Sequence, residues 1–162
     1  MPLLKNRKKL ISGVLCGALY CAIGAAFAQS CAASSAPVAF GNYNTFGGTV
    51  LDTAGTVTVT CSAPVSALVL YTIRLDGGTG GVIASRRMAN GTSYLPYQLY
   101  TDAARTAIWG DGTGGTSTVT DGYLLAVATP VIKSFTVYGR IAANQNVRYG
   151  SYLDTVTILL TF

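Results

Sequence analysis

The sequence predicts an all-β protein, a β-sandwich of about seven short strands in one domain. Three observations carry this. Apolar and polar residues alternate at period two in run after run, glycine-rich clusters with turn chemistry separate the runs, and no long segment repeats its apolar residues at a helical period.

Residues 1–28 stand apart from this pattern. Lys5, Arg7, Lys8 and Lys9 are followed by an uncharged stretch from Leu10 to Ala28 that closes on Ala26-Phe27-Ala28. A basic start, an apolar run and a small-x-small ending make a secretory signal peptide, with cleavage expected after Ala28. The rival reading is a permanent membrane anchor, since an uncharged run of this length can just span a bilayer. Gly13, Gly17 and Gly24 dilute its hydropathy, and the cleavage motif ends it. Lipidation is disfavoured: Leu15 before Cys16 and Tyr20 before Cys21 are poor fits to a lipoprotein signal, and Ser30 before Cys31 lacks the apolar part.

Removal of the leader changes the bulk numbers. It takes four of the 11 basic residues and none of the 6 acidic ones, so seven face six in residues 29–162. The basic balance of the whole chain therefore gives no support for nucleic-acid binding, which needs a dense Lys/Arg patch. Cys16 and Cys21 leave as well, and Cys31 and Cys61 remain. In an oxidising compartment their single intramolecular pairing is expected to be a disulfide.

In chain order, the first strand is expected over residues 55–62 (GTVTVTCS), where Val57 and Val59 alternate with threonines, and the next over 68–75 (LVLYTIRL). Residues 94–101 (YLPYQLYT) are strand-like, but Pro96 lacks the N–H a ladder needs, which puts an edge or a bulge there. Asp102 offers a helix N-cap that Ala103-Ala104-Arg105 would extend by one turn at most. Gly77 to Gly81, Asn90-Gly91 and the cluster from Gly110 to Gly115 read as tight turns, as do Asp76-Gly77, Asp111-Gly112 and Asp121-Gly122. Strand character returns at residues 123–129, 134–141 and 152–162. In the last of these Val156, Ile158, Leu160 and Phe162 share one face. A long apolar terminal strand with a bare edge invites aggregation, so something must cover it.

Three blocks carry a resemblance: GTVTVTCS around Cys61, LYTDAARTAIWGDGTGGT from Leu99 to Thr116, and YGSYLDTVTILLTF from Tyr149 to Phe162. The chain is similar to the spore coat protein U domain, a family shared with subunits of Csu-type (archaic) chaperone-usher pili. The resemblance implies an incomplete immunoglobulin-like sandwich that lacks its final strand. It also implies partners, namely a periplasmic chaperone, an usher and other pilus subunits, which complete the fold by β-strand addition. Carried over to this chain, the donor-strand groove falls on Val156, Ile158, Leu160 and Phe162. Those four would equally fill the core of a complete sandwich. The expected localisation is the periplasm in transit, then the cell surface or a pilus. Polymerising members of the family carry an alternating apolar donor segment between leader and first cysteine. Here only Gln29 and Ser30 stand in that place, which favours a tip or accessory subunit.

The sequence holds no histidine and no glutamate, so the usual general bases reduce to aspartate and an enzyme is not expected. No catalytic, cofactor-binding or metal-binding residues are assigned. Aspartates at calcium-loop spacing are missing, and Gly110 to Gly115 lacks the Gly-Lys-Ser/Thr ending of a phosphate loop. Asn90-Gly91-Thr92 matches a glycosylation sequon by chance, and Arg86-Arg87 reads as a solvated strand edge that could meet an acidic partner. The alternative to a pilus subunit is a self-complete extracellular module that binds carbohydrate or a surface. Its candidate ligand contact is Trp109, supported by the tyrosines; the competing reading of Trp109 is a core aromatic.

Overall fold

The computed structural model describes residues 29–162, and the signal peptide expected over residues 1–28 lies outside them. Among the described residues nine strands form: β1 (Ser30–Ala36), β2 (Leu51–Ser62), β3 (Ala67–Leu75), β4 (Arg87–Asn90), β5 (Ser93–Pro96), β6 (Gln98–Tyr100), β7 (Val119–Leu125), β8 (Val131–Ile141) and β9 (Ile158–Thr161). Two short 3-10 turns, Gly78–Gly80 and Ile83–Ser85, lie between β3 and β4. No helix among the described residues is long and apolar enough to cross a membrane.

Two sheets face each other in an immunoglobulin-like sandwich. One runs β1-β2-β8-β6, the other β7-β3-β9, and β4-β5 forms a separate hairpin. All pairings are antiparallel. Alternation decides which side chains enter the core: Val57, Val59 and Cys61 of β2 meet Val69, Tyr71 and Ile73 of β3, with Leu125, Val137 and Ile141 completing the layer. Tyr71 stands edge-on to Phe135 of the opposite sheet, with ring centroids 6.2 Å apart. Cys31 and Cys61 are direct cross-strand partners and form a disulfide that ties β1 to β2.

Several expected elements change. β1 was not anticipated, because SCAASSA has little apolar content, and its side chains are nearly all exposed. Residues 94–101 divide into β5 and β6, which serve different sheets. The break falls after Pro96: the Tyr97 N–H makes the last bond in the β4–β5 register, to the Arg86 carbonyl at 3.0 Å, and Gln98 already pairs with Arg140 of β8. Asp121-Gly122 is no turn but lies mid-strand in β7, where Leu70 closes over Gly122 and Asp121 accepts a hydrogen bond from the Tyr71 hydroxyl at 3.2 Å. β7 itself runs earlier than expected and stops at Leu125. The chain then turns, with Ala128 in the left-handed region at φ 55. Asp102 caps no helix; its carboxylate instead accepts from the N–H groups of Thr106 and Ala107.

The terminal strand is also shorter than the alternation suggests. β9 covers only Ile158–Thr161, and Leu153 makes an isolated bridge to Ala89. Between these, Asp76 takes both backbone bonds of Thr157. Its carboxylate accepts the Thr157 N–H at 2.8 Å, and its own N–H donates to the Thr157 carbonyl at 3.1 Å. A side chain thus replaces a ladder rung.

Closing a loop with a sequence separation of 30 restricts the unfolded chain. On the chain-entropy model the double substitution Cys31→Ser/Cys61→Ser should lower stability by about 3–4 kcal/mol. The check is urea unfolding of both proteins, and an unchanged midpoint would contradict it.

Candidate functional site

Among the described residues β9 has β3 on one side and no strand on the other, and β1 is likewise the outermost strand of its sheet. Between the sheets on this side lies an open groove of about 1240 Å³. One bank is residues 35–46, the end of β1 and the segment that follows it; the other is residues 146–156 with Ile158. The floor is the core itself, including Val57, Leu75, Leu95, Leu99, Val137 and Ile141.

The first bank is seated by missing side chains. A Cβ at Gly139 would stand 2.7 Å from Val38 Cγ1 and 2.8 Å from Phe40 Cζ, and one at Gly55 would stand 2.7 Å from Val38 Cγ2. These two glycines, on the inner faces of β8 and β2, leave the hollow that Val38 and Phe40 occupy. Phe40 also meets Tyr97 edge-on at 5.8 Å. Further along, the Tyr43 hydroxyl donates to the Ala142 carbonyl at 2.9 Å and accepts the Gln145 N–H at 2.8 Å.

The second bank is fixed by a polar network rooted in Arg86. This side chain is fully buried, at 0% exposure. Its Nε donates to the Asp76 carbonyl at 2.9 Å, Nη1 to Gln98 Oε1 at 2.7 Å, and Nη2 to the carbonyls of Asp76 and Trp109 at 2.7 and 2.8 Å. Burial pushes the guanidinium pKa down against the opposing pull of the Asp76 and Asp154 carboxylates, but arginine remains charged in proteins. The Asp154 carboxylate accepts the Tyr97 hydroxyl at 2.7 Å and the Thr79 N–H at 2.7 Å. Burial and that carboxylate push the Tyr97 hydroxyl well above the ordinary phenol range, so it stays a neutral donor.

Of the four residues expected to line a strand-accepting groove, Val156 and Ile158 are in the lining of this open groove. Leu160 is half-buried against the core outside the groove lining, and Phe162 is 51% exposed. Val156, Ile158 and Leu160 share the inward phase, and Thr157, Leu159 and Thr161 point out. Trp109, the candidate ligand contact, is fully buried at 0% exposure, and its indole N–H donates to the Ile73 carbonyl at 3.2 Å. The ligand reading is corrected accordingly: the ring fills the sandwich, because the loop after it folds back with Gly110 N–H on the Ser117 carbonyl. Arg86 is likewise no solvated edge. Nothing in the sequence separates it from Arg87, which is exposed and lies over the Tyr94 ring at 4.2 Å. Among the described residues no group of three or more His, Cys, Asp or Glu side chains is placed to hold a metal ion.

A two-sheet immunoglobulin-like domain with an open groove beside its last strand defines a class of small all-β sandwich modules. The chain belongs to the Spore Coat Protein U domain family, whose pattern it matches over residues 18–159. It is 33% identical over 149 residues to Protein U of Myxococcus xanthus, covering 86% of this chain and 79% of that protein. Its fold is similar to a chain in the chaperone–tip adhesion subunit pre-assembly complex CsuC–CsuE, from the archaic chaperone-usher Csu pili of Acinetobacter baumannii. That match has a TM-score of 0.56 at 18% identity and covers 83% of this chain; this chain spans 40% of the other's length.

The Asp76 carboxyl is the bank's pH-sensitive fastening. Burial acts to raise its pKa, but hydrogen bonds from Thr157 and the Gly78 N–H, with the charge of Arg86, outweigh burial and hold it below the usual value. A pKa depressed in the folded state gives stability that is complete above the unfolded value of about 3.9 and is lost as pH falls through the lower folded one. The urea midpoint should therefore hold from about pH 7 to 5 and fall below about pH 4, with a smaller fall in Asp76→Asn. Equal acid sensitivity in the two proteins would remove this role.

Proposed function

We propose that this chain is a secreted, non-enzymatic structural or adhesive subunit of a chaperone-usher pilus-like assembly, and that it acts by accepting a β-strand from a partner. The observation that carries the proposal is the pairing of β9 on one side only, beside a groove that opens onto the apolar core. An added strand would hydrogen-bond along the free edge of β9 while its inward side chains meet Val156, Ile158 and the floor residues, which is how β-augmentation combines affinity with selectivity. Membership of the Spore Coat Protein U family and the fold shared with a chain of the Csu complex support this reading. The partners in this scheme are a periplasmic chaperone during transit, an usher, and neighbouring subunits at the cell surface. Leu160 and Phe162, beyond the groove, would meet the far end of the donor.

A tip or accessory position suits the chain better than a fibre shaft. Ser30 already pairs with Ser62 at the start of β1, so with cleavage after Ala28 only Gln29 is left ahead of the fold. A segment committed to its own sheet is not available to complete a neighbour.

Periplasmic expression with and without a cognate chaperone tests the proposal. The chaperone is expected to yield a soluble one-to-one complex, and its omission a large loss of recoverable protein. Ile158→Asp, which sets a charge in the groove, should abolish the complex. Equal yields of a soluble, cooperatively unfolding monomer without chaperone would sink the idea.

A further inference from the structure

We infer that the outer face of the β7-β3-β9 sheet is a contact surface for a second copy of this chain, centred on Leu68, Leu70 and Leu124. None of these residues lines the groove, so the inference is independent of strand acceptance. The three leucines point away from the core and are 74%, 63% and 72% exposed. They are neighbours in the sheet: Leu68 of β3 pairs with Leu124 of β7, and Leu70 pairs with Gly122. A Cβ at Gly122 would stand 3.0 Å from Leu70 Cδ1, so a Leu70 methyl lies over the β7 backbone and joins the three into one patch.

Both faces of the sheet are apolar at this end, since Val69, Tyr71 and Leu125 fill the core on the other side. Apolar residues in both phases are the pattern of a strand covered on both faces, and residues 68–71 (LVLY) and 123–125 (YLL) show it. The opposite sheet supplies the comparison. On its outer face Thr56, Thr58 and Thr60 of β2 stand beside Thr136, Ser134 and Ile132 of β8, hydroxyls in five of six places. One domain thus has a hydroxyl face suited to water and a leucine face that is not.

Charge and area select the occupant. Of the outward residues on β7, β3 and β9, Arg74 alone is charged, and its Nη1 donates to Thr161 Oγ1 at 3.0 Å. Thr72 and Thr120 bond each other, Oγ1 to Oγ1, at 3.2 Å, so covering the face strands none of these groups. A face without paired charges cannot choose a different partner by charge, but it complements itself. A half-turn about an axis through the leucines sets leucine on leucine. Arg74 stands four residues beyond Leu70, about 13 Å along the strand at ~3.3 Å per residue. The rotation therefore sends the two guanidiniums to opposite ends, about 26 Å apart and beyond the ~8–10 Å screening length. Three leucines this exposed offer on the order of 400 Å² per copy, so the pair buries about half of the ~1,600 Å² of a standard complex. The contact is a reversible dimer, not an obligate one.

The test is sedimentation velocity on the exported, processed chain, free or as its chaperone complex, from about 10 μM to about 1 mM. The wild type should shift toward twice the mass as concentration rises, and about 0.5 M NaCl should not reverse the shift, because the contact is apolar. Leu68→Thr/Leu124→Thr turns the leucine pair into a threonine pair like the neighbouring Thr72 and Thr120. It should weaken self-association at least about tenfold and leave the unfolding midpoint unchanged. If the double variant unfolds early, Leu70→Thr carries the same expectation. Ile132→Thr, on the outer face of the other sheet, should leave the dimer intact. A wild type of single mass throughout, leucine variants that associate as well as wild type, loss of the dimer in Ile132→Thr, or dissociation by salt overturns the proposal. So does a wild type that stays single in solution but floats with phosphatidylethanolamine and phosphatidylglycerol vesicles, which assigns the face to a membrane.

Discussion

The guanidinium of Arg86 is the interaction on which the groove side of the molecule depends. It satisfies carbonyls at the end of β3 and at Trp109, and it holds Gln98 at the start of β6. A charge this deeply buried is tolerable only because its N–H groups find good partners. In return it fixes the place where three segments of different sheets converge. Asp76, whose carbonyl receives Arg86, carries the carboxylate that receives Thr157, so the position of the last strand is relayed from the core through one residue. Tyr97 and Asp154 add a second connection from the groove to the turn after β3. Fastened this way, the second bank is rigid even though its outer edge has no strand beside it.

The two halves of the β1–β9 side are built differently. Toward the disulfide, β1 pairs with β2 and the short β9 with β3, each within its own sheet. Toward the groove, the chain leaves β1, and Val38 and Phe40 fill the hollow over Gly55 and Gly139. These two side chains cover part of the inner face of β2 and β8. The rest of that face remains open. The opening is therefore a defined slot with a largely apolar floor and two anchored walls, and it is not a general loosening of the core.

Much of this was legible in the sequence. The period-two runs around Val57, Val69 and Val137 found the central strands because those residues are buried on one face only, which is the condition under which alternation is informative. The phase of Val156, Ile158 and Leu160 was readable for the same reason, and the two cysteines left no choice of pairing. What escaped depends on tertiary context. β1 is a polar edge strand held by backbone bonds and a disulfide, so it leaves no apolar pattern. Arg86 and Arg87 are neighbours with opposite fates, decided by whether carbonyls from distant segments converge on the side chain. Trp109 beside a glycine cluster left both exposure and burial open in the sequence, and its packing in the core decides for burial. The shortening of the last strand could not be seen either, because it arises when Asp76, about eighty residues earlier, competes for a backbone rung.

That competition bears on how a partner strand would seat. Alternation in the sequence runs on through residues 152–162, well beyond the four residues that pair with β3. Residues selected for an extended conformation but denied a ladder on the inner side still present their other edge and their inward side chains. Sheet edges of this kind are normally blunted by charge, proline or a covering element, yet between Asp154 and Phe162 there is neither a charge nor a proline. The segment is patterned as an interior strand while occupying an edge. A strand added from outside would resolve this mismatch, giving backbone partners to an edge that the chain's own sheet leaves bare.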